Sequence, residues 1–128
     1  MVVVETISRD EVEITFRLGK NALENHELID DADPNDLWFH LDGFPSGHCI
    51  LEVNRNNNFD SNNKFNRIND IDSIDIIYAA NLVKSHSKLK NHNKKLKVIY
   101  TPVKNLKKGK AKGEVIMLNI KKVSFIMI

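Results

Sequence analysis

This sequence predicts an α+β fold with a largely antiparallel sheet, on three observations. Runs of alternating polar and apolar residues recur along the chain, the period of strands buried on one side. One run, residues 71–87, has instead the three- and four-residue spacing of an amphipathic helix. The strands follow one another with few helical crossovers, so neighbours pair through turns rather than through βαβ units. A chain of 128 residues suits a single domain, 1–128, that buries roughly two-thirds of its unfolded surface.

After an N-terminal strand, Val12 to Leu18 alternate, with Val12, Ile14, Phe16 and Leu18 on one side and Glu13, Thr15 and Arg17 on the other; Gly19 ends the run. Asn21 to Asp31 has helical spacing, with Ala22, Asn25 and Ile29 on one face and Leu28 beside them, and it predicts a short helix over 21–31. The strands Asp36–Leu41 and His48–Val53 flank Asp42-Gly43-Phe44-Pro45-Ser46-Gly47, whose Gly and Pro make turn chemistry, so they read as a hairpin. The Asn-rich stretch at 54–69 reads as a long surface loop. In the main helix, 71–87, the predicted inner stripe is Ile71, Ile74, Tyr78 and Leu82, widened by Ile77, Ala79 and Ala80. Asn69 or Asp70 caps it, and Lys84, His86 and Lys88 suit the negative end of its dipole. Leu96, Val98 and Tyr100 then alternate with Lys95, Lys97 and Thr101 until Pro102. Lys104 to Gly113 is a basic loop, and Glu114–Leu118 and Val123–Ile128 close the sheet. The order is β-β-(α)-β-β-α-β-β-β.

The formal net charge of +2 hides a division. Residues 1–83 hold 6 Lys and Arg against 16 Asp and Glu, a net of −10, whereas residues 84–128 hold 13 Lys against the single acid Glu114, a net of +12. Such polarity points to an oriented contact with an anionic partner. Other classes fall away. No stretch approaches the roughly 18 apolar residues of a membrane span, and the N-terminus MVVVETISRDE is charged too early for a signal peptide. One cysteine, Cys49, excludes an internal disulfide framework and a Cys-based zinc cluster within the chain, as expected of a soluble cytoplasmic protein.

Two constellations invite chemistry. Alternation puts Asp36, Trp38 and His40 on one face of the hairpin, and a register symmetric about Phe44 brings His48 opposite His40, with Cβ atoms about 5 Å apart. The pair fits either a structural role for buried imidazoles or, with Asp36, a metal-dependent enzyme; neither a metal nor any other cofactor is expected. Asp30-Asp31-x-Asp33 reads as a solvated helix end more readily than as a cation site, and His86 as a helix C-terminal residue without a nucleophile or orienting partner.

The string Gly19-Lys20-Asn21-x-x-x-Asn25-x-x-Leu28, then Pro34-x-Asp36-Leu37-Trp38-Phe39-His40 and Gly43-x-Pro45-Ser46-Gly47-His48, resembles the NFACT-R domain family. Ala79-Ala80-x-Leu82-x-x-x-x-Ser87, Val98-x-Tyr100-Thr101-Pro102, Asn105-Leu106-Lys107-Lys108 and Lys110-x-Lys112-Gly113-Glu114-Val115 extend the likeness over roughly residues 14–128. The hairpin residues Asp36, Trp38, His40, Gly47 and His48 are its most specific part. The resemblance implies an RNA-binding module of ribosome quality-control proteins, which hold tRNA on the large ribosomal subunit and drive C-terminal tailing of stalled chains. It also implies a small stand-alone member, because the catalytic-like domain, helix-hairpin-helix and coiled coil of the larger relatives do not appear in this sequence. A binding surface is therefore implied rather than tailing activity.

The candidate binding residues are Lys84, Lys88, Lys90, Lys94, Lys95 and Lys97, followed by Lys104, Lys107, Lys108, Lys110 and Lys112. Lysines are point charges that suit phosphate better than bidentate base reading, and the basic half has no Arg. Its only aromatics are Tyr100 and Phe125, with Tyr100 facing inward, so backbone and shape recognition of folded RNA is expected over base stacking. With about 4 to 6 phosphate contacts, log K should fall against log salt with a slope of about −3 to −5. The acids Glu24, Glu27, Asp30, Asp31, Asp33 and Asp36 would repel nucleic acid and turn the lysine face inward. The expected partner is tRNA or ribosomal RNA, with DNA as an alternative ligand and a protein-adaptor role as the rival that uses the acidic face or the Asn-rich loop.

Overall fold

The computed structural model describes residues 2–9, 11–53, 73–111 and 114–128. The Asn-rich stretch, the helix-capping residues Asn69 and Asp70, Ile71 and Lys112 lie outside the described residues. In chain order the elements are β1 (Val3–Arg9), β2 (Val12–Gly19), α1 (Ala22–Asp31), β3 (Leu37–Leu41), β4 (His48–Leu51), α2 (Ser73–Ser85), β5 (Lys97–Pro102), β6 (Leu106–Lys108), β7 (Val115–Met117) and β8 (Ser124–Met127). Six strands form one sheet in the order β1-β2-β4-β3-β5-β8, while β6 and β7 make a separate ribbon. All these pairings are antiparallel, as the alternating runs predict.

Period-two alternation sorts the side chains into two cores. Phe16, Leu18, Leu37, Phe39, Cys49 and Val98 face α2, and Trp38 and Ile50 face the opposite way, onto Leu28 of α1 and Leu106 of β6. The central strands β3 and β4 are thus covered on both sides. Cys49 sits fully inside the α2-facing core, where burial pushes its thiol pKa well up.

The inner stripe of α2 departs from its sequence reading. The buried positions are Asp75, Ala79, Ala80 and Val83, with Tyr78 and Leu82 only partly covered. Ile74 and Ile77 point outward, 57% and 42% exposed. Ala79 and Ala80, in the predicted stripe, bring the helix close to the sheet, and a part-buried ion pair between Arg9 and Asp75 takes the place assigned to Ile74. The second correction concerns residues 104–118. The expected basic loop contains β6, and Val115–Met117 pairs with it instead of joining the main sheet. Three residues, two of them lysines, carry no readable alternation.

Candidate nucleic-acid interface

The hairpin register is symmetric about Phe44, as the sequence predicts: Leu37 faces Leu51, Trp38 faces Ile50 and Phe39 faces Cys49. Continuing that ladder brings His40 to His48, and their rings lie perpendicular with centroids 5.0 Å apart. Several local devices hold them there. Asn21 caps α1 by accepting from the Glu24 backbone N–H at 2.9 Å, and Glu24 reaches back to the Lys20 N–H at 3.0 Å, a relative of the capping box. One turn on, the Asn25 side-chain oxygen accepts the backbone N–H of His48 at 3.2 Å, tying the helix start to the strand start. Gly47 passes so close to β2 that a Cβ there would lie 2.2 Å from the Gly19 carbonyl oxygen. In the turn, Gly43 has φ of +82°, the left-handed region glycine favours.

The polar atoms of the hairpin are committed. Trp38 donates its indole N–H to Nδ1 of His48 at 3.0 Å, which fixes the proton of a neutral His48 on Nε2. Burial, reinforced by the neighbouring His40 and His26, pulls the pKa of His48 from 6.5 to about 3. His40 donates from Nδ1 to the Leu41 carbonyl at 2.5 Å, leaving Nε2 as an acceptor. Burial lowers its pKa as well, outweighing that hydrogen bond and the nearby Asp42 carboxylate. Asp36 is fully buried, and its two oxygens accept the N–H groups of Val53 and Asp33, both at 2.9 Å. It staples the start of β3 to the end of β4 rather than joining the imidazoles. The set Asp36, His40 and His48 therefore offers no converging metal donors, and among the described residues no group of three or more His, Cys, Asp or Glu is placed to hold a metal ion.

Two concavities meet at this hairpin. On the face of Trp38, a cleft of about 470 Å³ is lined by Trp38, His40, Phe44, His48, Ile99 and Met117, among others. On the α2 side, a groove of about 460 Å³ is lined by Lys20, Phe44, Ser46, His86 and Lys88, among others. Phe44, at the tip of the turn and 45% exposed, belongs to both. A third groove of about 380 Å³ follows the flank of α2 past Tyr78, Lys84 and Lys90.

The lysines do not form the single face expected from the sequence. Lys84, Lys88, Lys90, Lys94 and Lys95 gather at the C-terminal end of α2 and in the turn after it. That turn is ordered by Ser87, whose hydroxyl donates to the Lys84 carbonyl at 2.7 Å and accepts from the Leu89 N–H at 3.1 Å. Among the described residues, no carboxylate pairs with these five side chains. Lys104, Lys107, Lys108 and Lys110 instead lie on or beside the β6–β7 ribbon, which covers the other side of the sheet. There Lys108 pairs with Asp30 in the acidic end of α1 at 2.6 Å, and Lys104 donates to the Asn35 side chain, beyond that helix, at 3.2 Å. Lys97 lies 4.4 Å from the centre of the exposed Phe125 ring and 3.8 Å from Asp42.

Sequence reasoning passed over Lys20, Phe44 and His86 as contact residues. Lys20 and Phe44 lie in the acidic half, far from the lysine runs, and Phe44 looked like part of the turn. Its signal was an aromatic between Gly43 and Pro45, where a turn needs none.

The chain is similar over 46 residues to Coiled-coil domain-containing protein 25 from Danio rerio, at 37% identity, and from Bos taurus and Mus musculus, at 35% each. Those matches cover 36% of this chain and only 22% of each relative. The fold is shared with the C-terminal part of the fibronectin/fibrinogen-binding protein from Streptococcus suis, with a TM-score of 0.68 at 23% identity, over 96% of this chain and 43% of that one. The family model for the NFACT protein RNA binding domain matches residues 3–119, nearly all of the sequence, and the chain belongs to that family.

Proposed function

We propose that this RNA-binding domain grips a folded RNA, tRNA or ribosomal RNA, by its phosphate backbone, without catalysis, in cytoplasmic translation or ribosome quality control. The observation that carries the reading is the set of cations at the end of α2 that no carboxylate among the described residues pairs with, where Lys84, Lys88 and Lys90 with Lys20 line two adjoining grooves. Ammonium groups on flexible stems suit phosphate oxygens at varied positions, and a folded RNA presents these in a fixed array. The acidic residues of α1 lie across the sheet from this end and disfavour the reversed docking. The hairpin supports the surface through its hydrogen bonds.

Fluorescence anisotropy with tRNA, an unrelated folded RNA and duplex DNA at several salt concentrations tests the reading. Expected are tighter binding to folded RNA than to DNA and a loss of at least about tenfold for Lys84, Lys88 and Lys90→Glu together. Affinity unchanged in that triple variant overturns the assignment of the surface. Equal affinity for duplex DNA overturns the preference for RNA.

A further inference from the structure

We propose that the cleft beside the hairpin turn receives one unpaired RNA base, with its edge on Nε2 of His40 and Nε2 of His48, while the flanking phosphates cross the turn to Lys20 and Lys88. This deepens the backbone reading above and rests on it.

Three features of the cleft select a base. First, its walls are largely apolar or aromatic, with Trp38, Phe44, Ile99 and Met117 among them. Second, apart from Asp42, the polar side chains left to face a guest are the two imidazoles. With Nδ1 of His48 taken by Trp38 and Nδ1 of His40 committed to Leu41, the rings are left with one N–H donor and one lone-pair acceptor on imidazoles 5.0 Å apart. The hydrogen-bonding edge of each RNA base carries a donor beside an acceptor, the complement of such a pair. Third, burial favours the neutral form of both imidazoles, so the cleft favours a flat, uncharged guest with a polar edge over an anion.

The surroundings separate the place of the base from the place of the phosphates. Asp42 lines the cleft and disfavours phosphate there, whereas the groove across the turn carries Lys20, His86 and Lys88. Phe44 is common to both, and its exposed ring is the face on which a base can stack as the chain crosses. An apolar peptide side chain would leave the two imidazole nitrogens without partners, and a rigid duplex cannot turn a base into the cleft without unpairing it.

Trp38 is the single tryptophan of the sequence and lies against the cleft, so its emission reports occupancy. The experiment titrates the protein with a short single-stranded RNA, an abasic strand of the same length and a blunt RNA duplex, following Trp38 emission and anisotropy together. Expected is a saturable change in Trp38 emission with the single strand alone. His40→Phe keeps a ring but removes the acceptor, and should weaken single-strand binding by about fivefold or more while leaving duplex binding unchanged. His40→Gln, which restores an acceptor, should recover part of the loss. If RNA binds but Trp38 stays silent, or responds equally to the abasic strand, the base cleft is overturned and the backbone reading stands. If no RNA binds at all, both are overturned.

Discussion

Acid should weaken this fold through His48. In the folded protein its pKa is about 3, because the ring is buried and lies near His40 and His26; in the unfolded chain it returns to about 6.5. A base whose folded pKa is depressed binds more protons when unfolded, so stability is full above the unfolded value and is lost as pH falls from about 6.5 towards 3. Integrating between those values, the step from pH 7 to pH 5 should remove roughly 2 kcal/mol, and pH 4 roughly 3 kcal/mol. His40, also depressed, adds to the slope in the same direction. Urea unfolding at pH 7, 6, 5 and 4 measures this, beside His48→Gln, whose amide oxygen can still accept the indole N–H but does not titrate. The variant should lose some stability at pH 7 and show a shallower decline below it. A folded-state NMR titration placing His48 near 6.5, or parallel declines for the two proteins, would refute the reasoning.

Other outcomes follow from the same contacts. Gly47→Ala should destabilise by about 2 kcal/mol or more, because its methyl lands on the Gly19 carbonyl of a paired strand, where only backbone movement relieves the clash; thermal unfolding reads this as a lowered Tm. Asp36→Ala leaves the buried Val53 N–H without its acceptor and should cost about 2–3 kcal/mol in urea midpoint terms, with Asp36→Asn losing less. Lys88→Gln should make the salt slope of tRNA binding shallower by about 1, whereas Lys108→Gln, already paired to Asp30, should leave it nearly unchanged. Equal slopes for the two variants would remove the distinction between the lysine groups.

The parts legible in the sequence were those set by local period or local turn chemistry. The β2 alternation, the extent of α1 and the meeting of His40 with His48 came from spacing alone, because a turn symmetric about Phe44 fixes the register of both strands. What a side chain bonds to was hidden. Alternation grouped Asp36 with Trp38 and His40, yet β3 begins only at Leu37, and the carboxylate turns to collect two backbone N–H groups. Helical spacing of apolar residues put Ile74 on the inner face of α2 beside Ala79 and Ala80; the structure keeps the alanines there but buries Asp75 in its place, made tolerable by Arg9 from a strand 66 residues away. The lysines looked continuous because a sequence is a line; the fold carries the chain from one side of the sheet to the other between Lys95 and Lys107.

Cys49 has a practical consequence. It is the one cysteine in these 128 residues, is sealed beneath α2, and is held in its protonated form, whereas alkylating and disulfide-forming reagents attack the thiolate. The folded native chain should therefore react only slowly with maleimides. A cysteine placed at an exposed position such as Lys88 or Phe44 would be a unique attachment point for a dye or a crosslinker, with no residue of the core replaced.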